Sequence, residues 1–186
     1  GFDIGGNNVK YLVRQENNVV LSGFCETSKF NSCDDLLVYI YSIIDSIILE
    51  YGKENICGVG FGSKGRVTKE GVIISSSLKI LNNLDLVTNL ESKYNISTKV
   101  VNDASLPYFA ITENIKNKNI LNITLGTGIG SSLFYNYKYV GGDFFSSKFA
   151  RLDFRESYTE NYVSNKFLLK CSFECGLDIK STIESV

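Results

Sequence analysis

The feature that most constrains the fold is a local arrangement that occurs twice along the chain. In each copy a short apolar strand runs into a glycine turn and a second strand follows, as GFDIGGNNVKYLV at residues 1–13 and NITLGTGIGSSL at residues 122–133. Glycine-rich breaks between strand-like segments are typical of hairpin turns. We therefore expect two similar folding units, with the second beginning near residue 120.

Between the two turns, strand-like and helix-like patterns alternate, which is typical of an α/β fold. Apolar residues recur every three or four positions from about Asp34 to Tyr51, which predicts an amphipathic helix. Ser32 or Asp34 is a candidate cap for this helix, and Gly52 is a candidate end. The other expected elements are strands over 2–4, 9–14, 18–25, 56–62, 69–75, 97–103 and within 120–141, and helices over 84–94, 105–117 and 161–170.

The composition narrows the chemistry that is available. The 186 residues include no histidine, so Ser–His, Cys–His and histidine–metal sites are excluded within the chain. A net charge of −1 gives no indication of a nucleic-acid or membrane partner, no signal peptide is visible, and no apolar run reaches spanning length. The five scattered cysteines favour reduced thiols and a cytoplasmic location over a disulfide framework. Cys171 and Cys175 lack the further ligands that a zinc site needs, so we expect no zinc.

Three polar positions follow or end predicted strands: Asp3, the GSKG loop at residues 62–65, and Asp103. In α/β sheets the loops beyond the strand ends converge on a crevice where ligands bind. Gly5 and Gly6 leave backbone N–H groups free and allow a phosphate to come close. The pattern favours a nucleotide triphosphate as the ligand, with Asp3 facing a bound Mg²⁺ through water.

The second glycine turn, GTGIG at residues 126–130, can bind phosphate in the same way. Thr127 and Ser131 add hydroxyl donors beside it. Either turn alone is more often an ordinary hairpin than a phosphate site. The binding interpretation depends on the order of the motifs, in which a strand ending in Asn-Asp lies between the two turns.

Four segments in this order and spacing, GFDIGGNNVK, GVGFGSKGRV, VVNDAS and ITLGTGIGSSL, resemble the ROK family of sugar kinases and sugar-responsive repressors. The resemblance runs from residue 1 to about residue 142. It implies an actin/hexokinase-type ATPase fold, with a ribonuclease-H-like domain at residues 1–118 and a truncated second domain of the same type at residues 119–186. It further implies ATP, Mg²⁺ and a small-molecule sugar as ligands, and it allows a homodimer without deciding the oligomeric state.

The resemblance also assigns roles to individual residues. Gly65 matches a sugar-side glycine, and Asn102 and Asp103 match a pair that contacts the sugar, with Asp103 as the catalytic base. The alternative role of Asp103 is to cap a helix starting near Ala104; the two roles can coexist, and with the family match we favour the base. The residues matched to the two phosphate turns are Asp3, Gly5, Gly6 and Asn7 in the first, and Gly126, Thr127, Gly128 and Gly130 in the second.

The sequence departs from the family pattern after the second turn. Family kinases carry a G-E-x-G-H segment there, whose Glu and His hold sugar hydroxyls. The best match is SSKFARLDF at residues 146–154, which places Lys148 at the Glu position and Arg151 at the His position. Such a substrate site suits an anionic ligand better than a neutral hexose. If the match is displaced by a few residues, Asp143 or Asp153 supplies the acid instead.

Milder departures are Asn7 in place of a threonine, Lys64 in place of a loop proline, and Ser132 in place of a glycine. The family's cysteine-rich zinc loop and its later nucleotide motif are not found in the sequence. These departures leave two hypotheses open. The first is an ATP-dependent sugar kinase, glucokinase-like, with Asp103 as general base. The alternative is a catalytically degenerate sugar- or nucleotide-binding regulatory protein, and a DNA-binding repressor is a weaker third idea because no basic helix precedes the first strand.

Overall fold

The computed structural model describes residues 1–110, 119–125, 128–136, 138–140 and 150–164, together with residues 167, 170, 171, 173 and 174. The chain divides into two compact units, Gly1–Leu106 and Pro107–Val186. The domain boundary that we predict between residues 118 and 119 adjoins residues 111–118, which lie outside the described residues, so it stays a prediction.

The first unit contains two sheets. Its strands are β1 Phe2–Ile4, β2 Asn8–Gln15, β3 Asn18–Glu26, β4 Val59–Ser63, β5 Arg66–Val67, β6 Val72–Ser75, β7 Leu84–Asp85 and β8 Thr98–Asn102. The larger sheet has the order β3-β2-β1-β4-β8, and the smaller has the order β5-β6-β7. Strand β2 is antiparallel to β1 and β3, whereas β1, β4 and β8 are mutually parallel. This mixed α/β sheet confirms the fold class predicted for the start of the chain.

Helix α1, Cys33–Tyr51, connects β3 to β4 and begins and ends where the sequence predicts. The Ser32 hydroxyl accepts a hydrogen bond from the Asp35 N–H at 3.1 Å, and the Asp35 carboxylate accepts one from the Ser32 N–H at 3.2 Å. This reciprocal pair is a capping box, which satisfies N–H groups that have no partner inside the helix. Gly52 ends the helix with φ of +81°, a conformation that favours glycine.

The second predicted helix begins later than its apolar pattern suggests. Leu84 and Asp85 form strand β7, where Leu84 pairs with Ile73 of β6, and helix α2 spans Leu86–Tyr94. The prediction of helix from residue 84 was therefore wrong by one short strand. Residue 84 joins a strand because β6 offers it a partner, and this pairing outweighs the local helical pattern. The Asp85 carboxylate caps helix α2 by accepting a hydrogen bond from the Thr88 N–H at 2.9 Å.

One apolar core lies in the first unit. Its fully buried members include Ile4, Leu36, Ile40 and Phe61, so β1, α1 and β4 all contribute to it. Phe61 also stacks on Phe2 with ring centroids 4.9 Å apart. Because Phe2 and Ile4 flank Asp3 along β1, their burial fixes the strand that carries this acid.

The second unit repeats the strand–glycine turn–strand arrangement, as predicted. Its strands are β9 Ile120–Leu125, β10 Ile129–Tyr135, β11 Lys138–Tyr139, β12 Asp153–Phe154 and β13 Ser157–Tyr158. Strands β9, β10 and β11 form an antiparallel sheet in the order β11-β10-β9, and β12 pairs with β13. The short helices are α3 Leu106–Ala110 and α4 Glu160–Val163. Pro107 lies in the first turn of α3, as expected.

Among the described residues, no helix is both long enough and apolar enough to cross a bilayer.

We expect Ser32→Ala to lower the free energy of unfolding by about 1 kcal/mol, because the Asp35 N–H loses its acceptor. Urea denaturation followed by far-UV circular dichroism measures the change. Ser46→Ala is the matched control, since Ser46 lies exposed inside the same helix and bonds only to the carbonyl of Ser42. A loss in Ser46→Ala as large as that in Ser32→Ala would contradict a specific role for the cap.

Candidate active site

The parallel register of the large sheet brings three strand ends to one edge. Ile4 of β1 lies opposite Ser63 of β4, and Ser63 lies opposite Asn102 of β8. The next residue along each strand is Gly5, Lys64 or Asp103, so these three also follow one another along the edge. The backbone confirms the proximity, because the Lys64 N–H donates to the Ile4 carbonyl at 3.2 Å.

The first glycine turn is closed by bonds from both of its sides. The Gly5 N–H donates to the Asn8 carbonyl at 3.0 Å, and the Gly5 carbonyl accepts from the Thr27 hydroxyl at 2.9 Å. Thr27 is buried, and its own N–H donates to the Asn7 carbonyl at 2.8 Å. The turn is therefore held in place by the residue that directly follows β3.

This geometry corrects one expectation about the turn. The Gly5 N–H is not free for a phosphate, because it forms the bond that closes the turn. Within the described residues, the N–H groups of Gly6 and Asn7 have no hydrogen-bond partner, and both residues are exposed. They are the donors that the turn can offer to an anion.

Asn102 connects β8 to the GSKG loop. Its side-chain N–H donates to the Gly65 carbonyl at 2.7 Å, and its side-chain oxygen accepts from the Ala104 N–H at 3.1 Å. Gly65 has φ of +115°, a backbone conformation that other residues rarely adopt. Asn102 therefore positions the loop glycine predicted to face a sugar, and one amide hydrogen remains for a ligand.

Asp103 sits at the start of a 3₁₀ turn, Asp103–Ser105, that follows β8. Asn102, and not Asp103, occupies the cap position of this turn. The Asp103 carboxylate nevertheless accepts from the same Ala104 N–H, at 2.8 Å. Asn102 takes the cap because its extended backbone, with φ of −64° and ψ of 138°, ends the strand.

The surroundings of Asp103 favour its neutral form. Burial raises the pKa of the Asp103 carboxyl, and the charge of nearby Asp3 raises it further. The hydrogen bond from Ala104 and the charge of Lys64 lower the pKa but do not cancel the increase. A carboxylate with a raised pKa is a stronger base than an exposed one, so Asp103 can accept a proton from a bound hydroxyl group.

The residues present fit Mg²⁺ but not a closed metal cage. Among the described residues, no group of three or more His, Cys, Asp or Glu side chains could hold a metal ion. Mg²⁺ is usually bound through one or two carboxylates, with water and phosphate oxygens completing the shell. Asp3, half-buried beside the first turn and close enough to act on Asp103, is the carboxylate suited to that arrangement.

The second glycine turn lies in the second unit, where Leu125 of β9 pairs with Ile129 of β10. Gly126 and Thr127 lie outside the described residues. Gly130 is a strand residue opposite Thr124, and the predicted hydroxyl donor Ser131 is fully buried in β10. Among the described residues of this turn, fewer are accessible to a phosphate than the glycine spacing suggests.

Glu160 contacts the second glycine turn, and the sequence analysis did not anticipate this contact. Its carboxylate accepts a hydrogen bond from the Ile129 N–H at 3.0 Å. A Cβ atom added to Gly128 would lie 2.6 Å from the same oxygen, so the carboxylate fills the space left by this glycine. The contact joins residues 31 positions apart, and no motif at Glu160 in the sequence signals it.

The predicted substrate cations are placed only in part. Lys148 and the alternative acid Asp143 lie in residues 141–149, outside the described residues. Arg151 is exposed in the turn that precedes β12, and the other alternative acid, Asp153, is exposed within β12. Neither has a described partner that would identify a sugar pocket.

We expect Gly65→Ala to lower the free energy of unfolding by about 1–3 kcal/mol, because alanine is strained at a φ of +115°. Gly60→Ala on β4 is the control, since an added Cβ there meets nothing within 4 Å. Urea denaturation of both variants measures the difference. Equal stabilities of the two variants would show that the conformation of the GSKG loop is not fixed.

Asp103 makes folding depend on pH in a direction that can be tested. The raised pKa means that the folded chain holds this proton to higher pH than the unfolded chain, so stability falls as pH rises through that window. We expect Asp103→Asn to be more stable than the unmodified chain at about pH 7, with a smaller difference near the reference pKa of about 3.9. Urea denaturation at several pH values measures this.

Asp34→Asn, at an exposed acid in the first turn of α1, is the control and should not stabilise the chain at either pH. A destabilised Asp103→Asn at pH 7 would mean that burial does not penalise the charge of Asp103.

Comparison with known proteins identifies the family of this arrangement. The model of the ROK family matches residues 1–148. An N-acetyl-D-glucosamine kinase from Aliivibrio salmonicida is 28% identical over 148 residues, which cover 76% of this chain and 48% of that protein. The chain thus spans about half the length of the curated relatives that it matches.

Solved structures agree on the fold. A ROK family glucokinase from Streptomyces griseus, solved in complex with glucose and AMPPNP, superposes with a TM-score of 0.71 at 19% identity, covering 91% of this chain and 58% of that one. A ROK family transcriptional regulator, a homologue of the E. coli MLC protein, superposes with a TM-score of 0.74 at 12% identity, covering 95% of this chain and 50% of that one. The fold is therefore the mixed α/β fold of actin/hexokinase-like ATPases, and the chain belongs to the ROK family.

Proposed function

We propose that this chain acts as an ATP-dependent sugar kinase, which binds a sugar and transfers the γ-phosphoryl group of ATP to a sugar hydroxyl. The observation that carries the proposal is the position of Asp103. Its half-buried carboxyl, with a raised pKa, lies at the same sheet edge as Asp3 and the first glycine turn. This arrangement supports the proposal, because a candidate proton acceptor lies at the same sheet edge as a candidate phosphate turn.

Phosphoryl transfer demands mainly positioning and charge neutralisation, with one acceptor for the hydroxyl proton. In this proposal Asp103 accepts that proton, and Asn102 and Gly65 orient the sugar. The N–H groups of Gly6 and Asn7 bind phosphate oxygens, and the family resemblance makes Gly128 and Gly130 of the second turn further candidate nucleotide contacts. When bound, Mg²⁺ neutralises phosphate charge, and Asp3 would hold it through water.

Names among the relatives support a hexose or amino sugar as the acceptor. One curated relative is named an N-acetyl-D-glucosamine kinase, and one solved neighbour is a glucokinase bound to glucose and AMPPNP. Lys148 and Arg151 are candidate sugar contacts, and as cations they would favour an acceptor that carries negative charge. We place the reaction in the cytoplasm, where ATP is available and cysteines stay reduced.

We also infer that the second unit belongs to a ribonuclease-H-like domain. Its sheet order β11-β10-β9 repeats the order β3-β2-β1 of the first unit, including a glycine turn between the first two strands. A homodimer is one assembly that such a chain could form.

A second candidate function, a sugar- or nucleotide-binding regulatory protein without catalysis, is favoured by Glu160. Its carboxylate already occupies the Ile129 N–H beside the second turn, where it would compete with and repel a phosphate. The fold is also shared with a transcriptional regulator. The two candidates differ in turnover and not in binding.

A coupled ADP-release assay with ATP, Mg²⁺ and a panel of hexoses and amino sugars tests the kinase. We expect Asp103→Asn to lower kcat by about 10²–10⁴-fold, because a positioned base contributes that much. Asp34→Asn serves as the control and should retain the rate. If the unmodified chain binds a sugar by calorimetry but turns over none of the panel, the regulatory candidate replaces the kinase.

A further inference from the structure

Lys64 is a charged residue at the centre of the candidate site to which neither the motif comparison nor the proposed mechanism gives a role. It follows β4 directly, and its backbone N–H is fixed by the bond to the Ile4 carbonyl. Its side chain is half-buried and reaches across to the first glycine turn. The ammonium nitrogen lies 3.5 Å from the point that a Cβ on Gly6 would occupy.

The ammonium lies close to the turn, since a Cβ on Gly6 would be in ordinary van der Waals contact with it. The ammonium and the open N–H groups of Gly6 and Asn7 therefore lie near one another at the same turn. Backbone N–H donors beside a cation form the kind of concave surface that binds phosphate oxygens.

Lys64 forms no ion pair with another described residue. In the described parts of the chain, no carboxylate lies within 4.0 Å of its ammonium, although its charge is near enough to lower the pKa of Asp103. A lysine ammonium has three donors and gains most from a compact anionic partner when it is partly removed from water. The position thus leaves these donors available for a ligand.

The simpler interpretation is that Lys64 only offsets the charges of Asp3 and Asp103. That role needs no contact with the glycine turn, and a direct ion pair would perform it better. The two carboxylates instead create a difficulty for an anionic ligand, since they repel it from the edge where the turn lies. A cation placed against Gly6 counters that repulsion at the point where a phosphoryl group would enter.

We propose that Lys64 is a phosphoryl-binding residue, whose ammonium acts with the N–H groups of Gly6 and Asn7 to hold the outermost phosphoryl group of the ligand beside Asp103. This inference deepens the proposed function and rests on it for the identity of the site. It is particular to this chain, because the family resemblance places a proline at this position. The phosphoryl group can belong to the end of a nucleotide or to a phosphorylated sugar, and the experiment separates these sources.

The experiment measures binding by isothermal titration calorimetry in the presence of Mg²⁺. The probes are ATP, ADP, pyrophosphate and glucose 6-phosphate, and the variants are Lys64→Ala and Lys64→Arg. We expect Lys64→Ala to weaken ATP binding about tenfold or more, as for other hydrogen bonds to charged groups, and ADP binding less. Lys64→Arg keeps the charge and should retain most of the affinity.

Lys69→Ala is the matched control, since Lys69 is an exposed lysine in the turn between β5 and β6. It should bind every probe as the unmodified chain does. Urea denaturation of each variant verifies that a loss of binding does not reflect unfolding.

The outcomes separate the inference from the proposed function. If Lys64→Ala binds ATP as tightly as the unmodified chain, the inference is overturned and the kinase proposal stands. If the unmodified chain binds glucose 6-phosphate or pyrophosphate but no nucleotide, and Lys64→Ala loses that binding, the inference holds and the kinase proposal falls. Failure of the unmodified chain to bind any of the four probes overturns the inference.

Discussion

The site depends on the parallel pairing of β1, β4 and β8. These short strands contribute little chemistry themselves, but their shared register places the residue after each strand at one edge. Shifting one strand by a single residue would exchange its two faces, moving Phe2 and Ile4 out of the core and Asp3 into it. The same burial that stabilises β1 therefore determines where the candidate phosphate turn and the acid of the site lie.

The sequence predicted those features that are encoded locally. Both glycine turns, the boundaries of α1 and the strand that leads to Asn102 and Asp103 follow from periodicity, capping residues and ordered motifs. The family resemblance, carried by those same motifs, led to the correct family. Local signals suffice here because each is contained within one strand, one turn or one helix.

The errors arose where a distant residue decides the outcome. The Gly5 N–H seemed available in the sequence because only the folded turn brings the Asn8 carbonyl to it. Leu84 joined a strand because β6 offered a partner, and Glu160 reached Ile129 across 31 residues of sequence. Such contacts depend on tertiary packing, which cannot be predicted from the hydrophobic periodicity or from the composition of a turn.

The hydrogen bond from the Thr27 hydroxyl to the Gly5 carbonyl helps to determine the conformation of the DIGG turn at residues 3–6. Twenty-two positions separate Thr27 from Gly5, and the hydroxyl comes within bonding distance only when strands β2 and β3 have paired. A peptide with the DIGG sequence, or another hairpin carrying the same four residues, would lack this hydrogen bond and would adopt many conformations. The shape of this candidate phosphate turn is accordingly a property of the assembled sheet, and a search for the glycine pattern alone would find many hairpins that lack the bond.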